Sequence, residues 1–126
     1  MNIDKLIKVW ITAQEVDVDS DAYDKVSWAI DELYNLAHDD PDKLLNIIIE
    51  ILNISSSDKV IGAIGAGALE ELLVHHSEKY VDKILKLSDS NDNFKKCLTV
   101  TYLDKNDVSE RVYKKIQSAV KDSSRK

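Results

Sequence analysis

Apolar residues fall at helical spacing along most of the chain. Ile3, Leu6, Ile7, Trp10 and Ile11 lie three and four apart, as one face of a helix requires, and the pattern returns at Val26, Ala29, Ile30, Leu33, Leu36 and Ala37. A third run, Leu44, Leu45, Ile48, Ile51 and Leu52, follows Asp40 and Pro41. An aspartate N-cap accepts the orphan N–H groups of the first turn, and proline at the first helical position lacks a donor that no helix uses there. Serines 55 to 57 predict a fourth helix to about Leu73, and Ser77 a fifth to about Leu87. Ser90 or Asn91 opens a sixth, and a seventh starts near Asp107. With one proline and three glycines, the chain lacks the turn chemistry of an all-β protein. The expected fold is all-α, with about seven helices.

An internal repeat suggests how they pack. Asp24-Lys25-Val26 followed by Ala29-Ile30 recurs 34 residues later as Asp58-Lys59-Val60 followed by Ala63-Ile64. Pro41-Asp42-Lys43-Leu44-Leu45 resembles Ser77-Glu78-Lys79-Tyr80-Val81, offset by 36, and Ser109-Glu110-Arg111-Val112-Tyr113 follows at a further 32. A helical hairpin occupies a period of this size, and stacked hairpins bury faces that none could bury alone. The expectation is a HEAT-like or armadillo-like stack of hairpins in one domain, residues 1 to 121. The polar stretch from 122 to 126 has no apolar spacing and should fray.

Composition narrows the class. Of the 126 residues, 44% are hydrophobic and 32% charged, a globular balance. The opening Met1 to Lys8 lacks the apolar run of a signal peptide and no stretch matches a membrane span, so a cytoplasmic location is expected. Cys97, the one cysteine, stands in an apolar-periodic run with Phe94 and Leu98, where a buried, inert thiol is the usual occupant. The net charge of −6 is uneven: residues 1 to 57 hold twelve acids against four lysines, the remainder eleven acids against thirteen bases. Such a surface repels phosphate backbones and attracts cationic proteins.

Candidate chemistry is sparse. Gly62-Ala63-Ile64-Gly65-Ala66-Gly67 suggests a phosphate loop, but Ala68-Leu69-Glu70 follows where Lys and Ser/Thr should stand, and a capped helix precedes it. The glycines are better explained by close approach of a neighbouring helix, which offsets their cost of about 1 kcal/mol each. Glu71 and His75 are an i, i+4 pair, with His76 and Glu78 nearby, yet the two-histidine zincin spacing is missing. The acids from Glu15 to Asp24 resemble a calcium loop, but counting from Asp17 places Ala22 at the glycine position and Trp28 at that of the bidentate glutamate. Ser77 adjoins His76 without a nucleophile elbow. No catalytic centre, metal or cofactor is expected. The candidate partner-binding residues are Asp17, Asp19, Asp21, Tyr23 and Asp24, an acidic patch with an aromatic anchor for the lysines and arginines of a protein partner. The alternative role for this stretch is a solvated connection in which Asp19 or Ser20 caps the second helix.

Residues 24 to 102 resemble an uncharacterised family of small helical bacterial domains found in polymorphic-toxin neighbourhoods. The likeness rests on Trp28 with Leu33, Asp40-Pro41, and Gly65-Ala66-Gly67-Ala68-Leu69-Glu70-Glu71-Leu72-Leu73, then His75, Tyr80-Val81-Asp82 and Phe94. Ala68 departs from the proline expected there. The resemblance implies an immunity protein of a contact-dependent growth inhibition system, covering the active site of a cognate secreted toxin. The acidic charge suits a basic target such as a nuclease. The rival readings are a helical adaptor with a peptide groove and a small metal-dependent enzyme.

Overall fold

The computed structural model describes residues 2–124. Among them there is no strand: the fold is all-helical, and no helix is long and apolar enough to cross a membrane. The elements are α1 (Ile3–Glu15), α2 (Asp21–Val26), α3 (Trp28–Asp39), α4 (Pro41–Ile54), α5 (Asp58–Ala63), a π-helical turn (Ile64–Ala68), α6 (Leu69–Ser90), α7 (Asp92–Val100) and α8 (Glu110–Ser124).

The caps explain most boundaries. Asp40 accepts from the Lys43 N–H with Pro41 in the first turn of α4, Ser57 accepts from Val60 N–H, and Asn91 accepts from Phe94 N–H. α4 is the central helix: Leu44, Leu45, Ile47, Ile48, Ile51 and Leu52 are all buried, and it packs against α1, α3, α6 and α7. Phe94, Leu69 and Leu6 belong to the same core, each at most 1% exposed.

The seven-helix division is altered in three places. The second expected helix is split at Ser27 into α2 and α3, although Ser27 keeps helical backbone angles and its N–H bonds to Tyr23. The fourth and fifth run together, because α5, the π turn and α6 form one path from Asp58 to Ser90 without an intervening loop. Within it only His76 leaves helical geometry, at φ −138° and ψ 28°, so the break expected before Ser77 is a kink and Ser77 is buried inside the helix. The last helix starts at Glu110, after a loop, with the Ser109 hydroxyl accepting from Val112 N–H. It continues through Ser124, so residues 122 to 124 of the stretch expected to fray are helical, and the last two residues of that stretch lie outside the described residues.

The glycine segment has a specific packing cause. In the π turn the Leu69 N–H bonds to the Ile64 carbonyl, five residues back rather than four. The Gly65 carbonyl accepts from the Thr101 hydroxyl at 2.7 Å, which ties the turn to the end of α7. A Cβ on Gly65 would collide with Val100 and with the Cys97 backbone, so here the two helices meet almost backbone to backbone. At Gly67 the nearest neighbour of a Cβ is the Tyr34 hydroxyl, 3.2 Å away, and at Gly62 the space is open. Close packing therefore accounts for Gly65, partly for Gly67, and not for Gly62.

Candidate functional site

The acidic stretch expected to meet a partner is the connection from α1 through α2. Asp17 shapes it: its carboxylate accepts from the Asp19 N–H at 3.0 Å, and its carbonyl accepts from the Ser20 hydroxyl at 2.6 Å. Ser20, not Asp19, caps α2, accepting from Tyr23 N–H. Asp21 and Asp24 lie in the first turn of α2, where carboxylates favour the positive end of the helix dipole. Asp17, Asp19, Asp21 and Asp24 are exposed and Tyr23 is half-buried. No ion pair among the described residues involves any of these four acids. Val18, between two of them, is 67% exposed.

A second cluster lies along the seam between α3 and α6. The π turn contains one residue more per hydrogen-bonded ring than an α-helix, which rotates the rest of the helical path by about 100°. Beyond the turn, Leu69, Leu72 and Leu73 are buried, while Gly67 within the turn and Glu71 and His75 after it, spaced by four, form a row facing α3. On α3, Tyr34 and His38 are likewise four apart. The rows meet: His75 and His38 have ring centroids 4.2 Å apart and tilted by 54°, and His75 Nε2 lies 3.2 Å from Glu71 Oε2. One donor atom from each of His38, Glu71 and His75 lies within 4.8 Å of the other two. Above them a recess of about 210 Å³ opens between Trp10, Gln14, Ile30, Tyr34, Ala66 and Gly67.

The electrostatics of the seam are anionic. Burial, then the Glu71 and Glu70 carboxylates, push the Tyr34 phenol above its ordinary value. Burial and the adjacent Glu71 push the Glu70 carboxyl up as well. His76 stands apart from the donor cluster. Its Nε2 lies 2.8 Å from the Ala37 carbonyl, which can only accept, so that nitrogen donates and satisfies an end carbonyl of α3.

The sequence pattern offers Glu71 and His75 with His76 and Glu78 nearby, but His76 bonds to the Ala37 carbonyl and Glu78 meets Ser109 and Arg111 instead. His38 escapes sequence reasoning because it lies on a different helix, with no local spacing to mark it, and packing of α3 on α6 brings it in. Cys97 is buried with its Sγ 3.4 Å from the Ile61 carbonyl, and burial raises the thiol to about 12, so it stays protonated and inert.

A family model described as "Family of unknown function (DUF6869)" matches residues 16–124. The chain belongs to that family. Both the α1–α2 connection from Asp17 onward and the α3–α6 seam lie within the DUF6869 match. No curated protein and no solved structure matches the chain.

Proposed function

We propose that this protein acts by binding, and that its acidic α1–α2 connection is the contact surface for a basic protein partner. The observation that carries the reading is the set Asp19, Asp21 and Asp24, exposed and outside any ion pair among the described residues, with exposed Val18 beside Asp19 and half-buried Tyr23 nearby. Ser20 and Asp17 already hold the turn, so these three carboxylates are available for another molecule. Charges arranged this way steer encounter with a cationic surface, while Val18 and Tyr23 supply apolar area to bury.

The resemblance to immunity proteins makes that partner a secreted bacterial toxin domain, a basic nuclease whose active site this protein covers in the cytoplasm. Such an inhibitor needs surface and rigidity rather than catalysis. A helical-hairpin stack would supply the rigidity, and one pattern favours it. The first-turn acid of α4, Asp42, accepts from Tyr80 in α6, and Glu78, its counterpart 36 residues on, accepts from Ser109 and pairs with Arg111 at 3.6 Å. On this reading, both links run from one candidate repeat to the start of the next. The test is to find a large secreted protein with a variable C-terminal domain encoded immediately upstream and to co-express that domain with this chain: growth should be rescued, and the two proteins should co-purify. Rescue without physical association, or association without rescue, would defeat inhibition by covering the active site.

A further inference from the structure

We propose that His38, Glu71 and His75 form a binding site for one zinc-class divalent cation, bridging α3 and α6. The donor set comes first. Two imidazole nitrogens and one carboxylate oxygen suit zinc and its borderline neighbours, whereas magnesium and calcium favour oxygen alone. The distances are compatible. Tetrahedral zinc with ligands at about 2.0–2.2 Å holds neighbouring donor atoms about 3.3–3.5 Å apart. His75 Nε2 and Glu71 Oε2 already stand 3.2 Å apart, and the full set lies within 4.8 Å. His38 is exposed at the end of α3, so a small side-chain rotation closes the remaining gap.

The surroundings favour a cation over the alternatives. An i, i+4 His75–Glu71 ion pair explains those two residues, but not why a second imidazole lies with its ring centroid 4.2 Å from that of His75. Three protein ligands leave a fourth position, which in this exposed seam falls to water. His76 takes no part, since its Nε2 is committed to Ala37. This site is independent of the acidic α1–α2 surface, and either can fail without the other.

The test uses the full chain, stripped with a chelator and dialysed, titrated with Zn²⁺ against a chromophoric competitor. One zinc per chain is expected, and Co²⁺ in its place should show the visible absorption of a tetrahedral site. His38→Ala, Glu71→Gln and His75→Ala should each weaken zinc by about tenfold or more, whereas His76→Gln should not. Because a variant can fail to fold, imidazole resonances of the unaltered protein provide a second reading: zinc should shift those of His38 and His75 and leave His76 in place. Absence of binding at millimolar Zn²⁺, unchanged affinity in His38→Ala, or a shift led by His76 would each overturn the proposal.

Discussion

The Cβ that Gly65 lacks would stand 2.5 Å from the carbonyl oxygen of Cys97. Backbone rather than a flexible side chain occupies that space, and the Val100 side chain closes the other side. A side chain at residue 65 must therefore push α7 away from the π turn, straining the Thr101 hydroxyl's bond to the Gly65 carbonyl.

Gly65→Leu should consequently destabilise by about 1–3 kcal/mol or more, the range for overpacking a filled interior, with Gly65→Ala a milder version. Gly62 supplies the internal comparison, since nothing lies within 4 Å of its virtual Cβ and it sits inside helical α5. Gly62→Ala should stabilise by up to about 1 kcal/mol through helix propensity. Denaturant midpoints of the three variants decide it, and similar losses at both positions would refute backbone contact as the cause.

The Tyr80 hydroxyl donates to the Asp42 carboxylate, and the bond ties stability to pH at both ends of the scale. This hydrogen bond holds the Asp42 carboxyl below its ordinary 3.8, so its contribution is present above that value and is lost as pH falls through the lowered one. Burial and then Asp42 push the Tyr80 phenol from 10.0 up to about 12, so its contribution is present below 10.0 and declines as pH rises toward 12. Tyr80→Phe keeps the ring and removes the bond. The stability difference between wild type and Tyr80→Phe should be flat from about pH 5 to 9 and shrink on either side; a pH-independent difference would show packing alone.

Cys97 should react with a thiol reagent only when the helices around it open. Burial holds the thiol at about 12, so the thiolate is scarce at neutral pH as well as inaccessible. Disulfide-exchange rates in native buffer should therefore follow denaturant concentration and equal the free-thiol rate once unfolded. Fast reaction in buffer would mean that α7 opens locally next to Gly65.

Local chemistry was legible in the sequence and long-range coincidence was not. Asp40 with Pro41, Ser57 and Asn91 mark helix starts because a cap acts within four residues of itself. The buried stripe of α4 followed from spacing for the same reason. The continuity from Asp58 to Ser90 was hidden, since Ser77 looks like a cap until burial places its side chain inside a helix. The π turn had only the glycines as a signal, and these suggested close packing without showing the extra residue per turn. In the α3–α6 seam, Glu71 and His75 were readable as a pair, but His38 and Tyr34 required knowing which faces of two separated helices meet. The acids of the α1–α2 connection were readable as a local cluster because they lie close together in sequence, while the choice between Asp19 and Ser20 as the cap of α2 was not.

That connection yields the prediction closest to function. Asp17, Asp19, Asp21 and Asp24 are exposed, so their field should act mainly on the approach of a basic partner rather than on the docked complex. Raising salt shortens the screening length from about 10 Å at 0.1 M to about 3 Å at 1 M, so association should slow markedly while dissociation changes little. Replacing all four by asparagine removes the charge and keeps the shape. Asn at residue 17 can still accept from the Asp19 backbone N–H, and Ser20 still caps α2, so helical signal and melting should stay near wild type. Val18→Ser should instead raise the dissociation rate, since it removes buried apolar area and leaves the charges in place. Measured by surface plasmon resonance against a basic toxin domain that binds the wild-type chain, an unaltered association rate in the asparagine variant would move the interface away from α2. An altered association rate together with loss of helical signal would mean that the acids act on folding, and only a slowed association on a folded chain supports steering by these carboxylates.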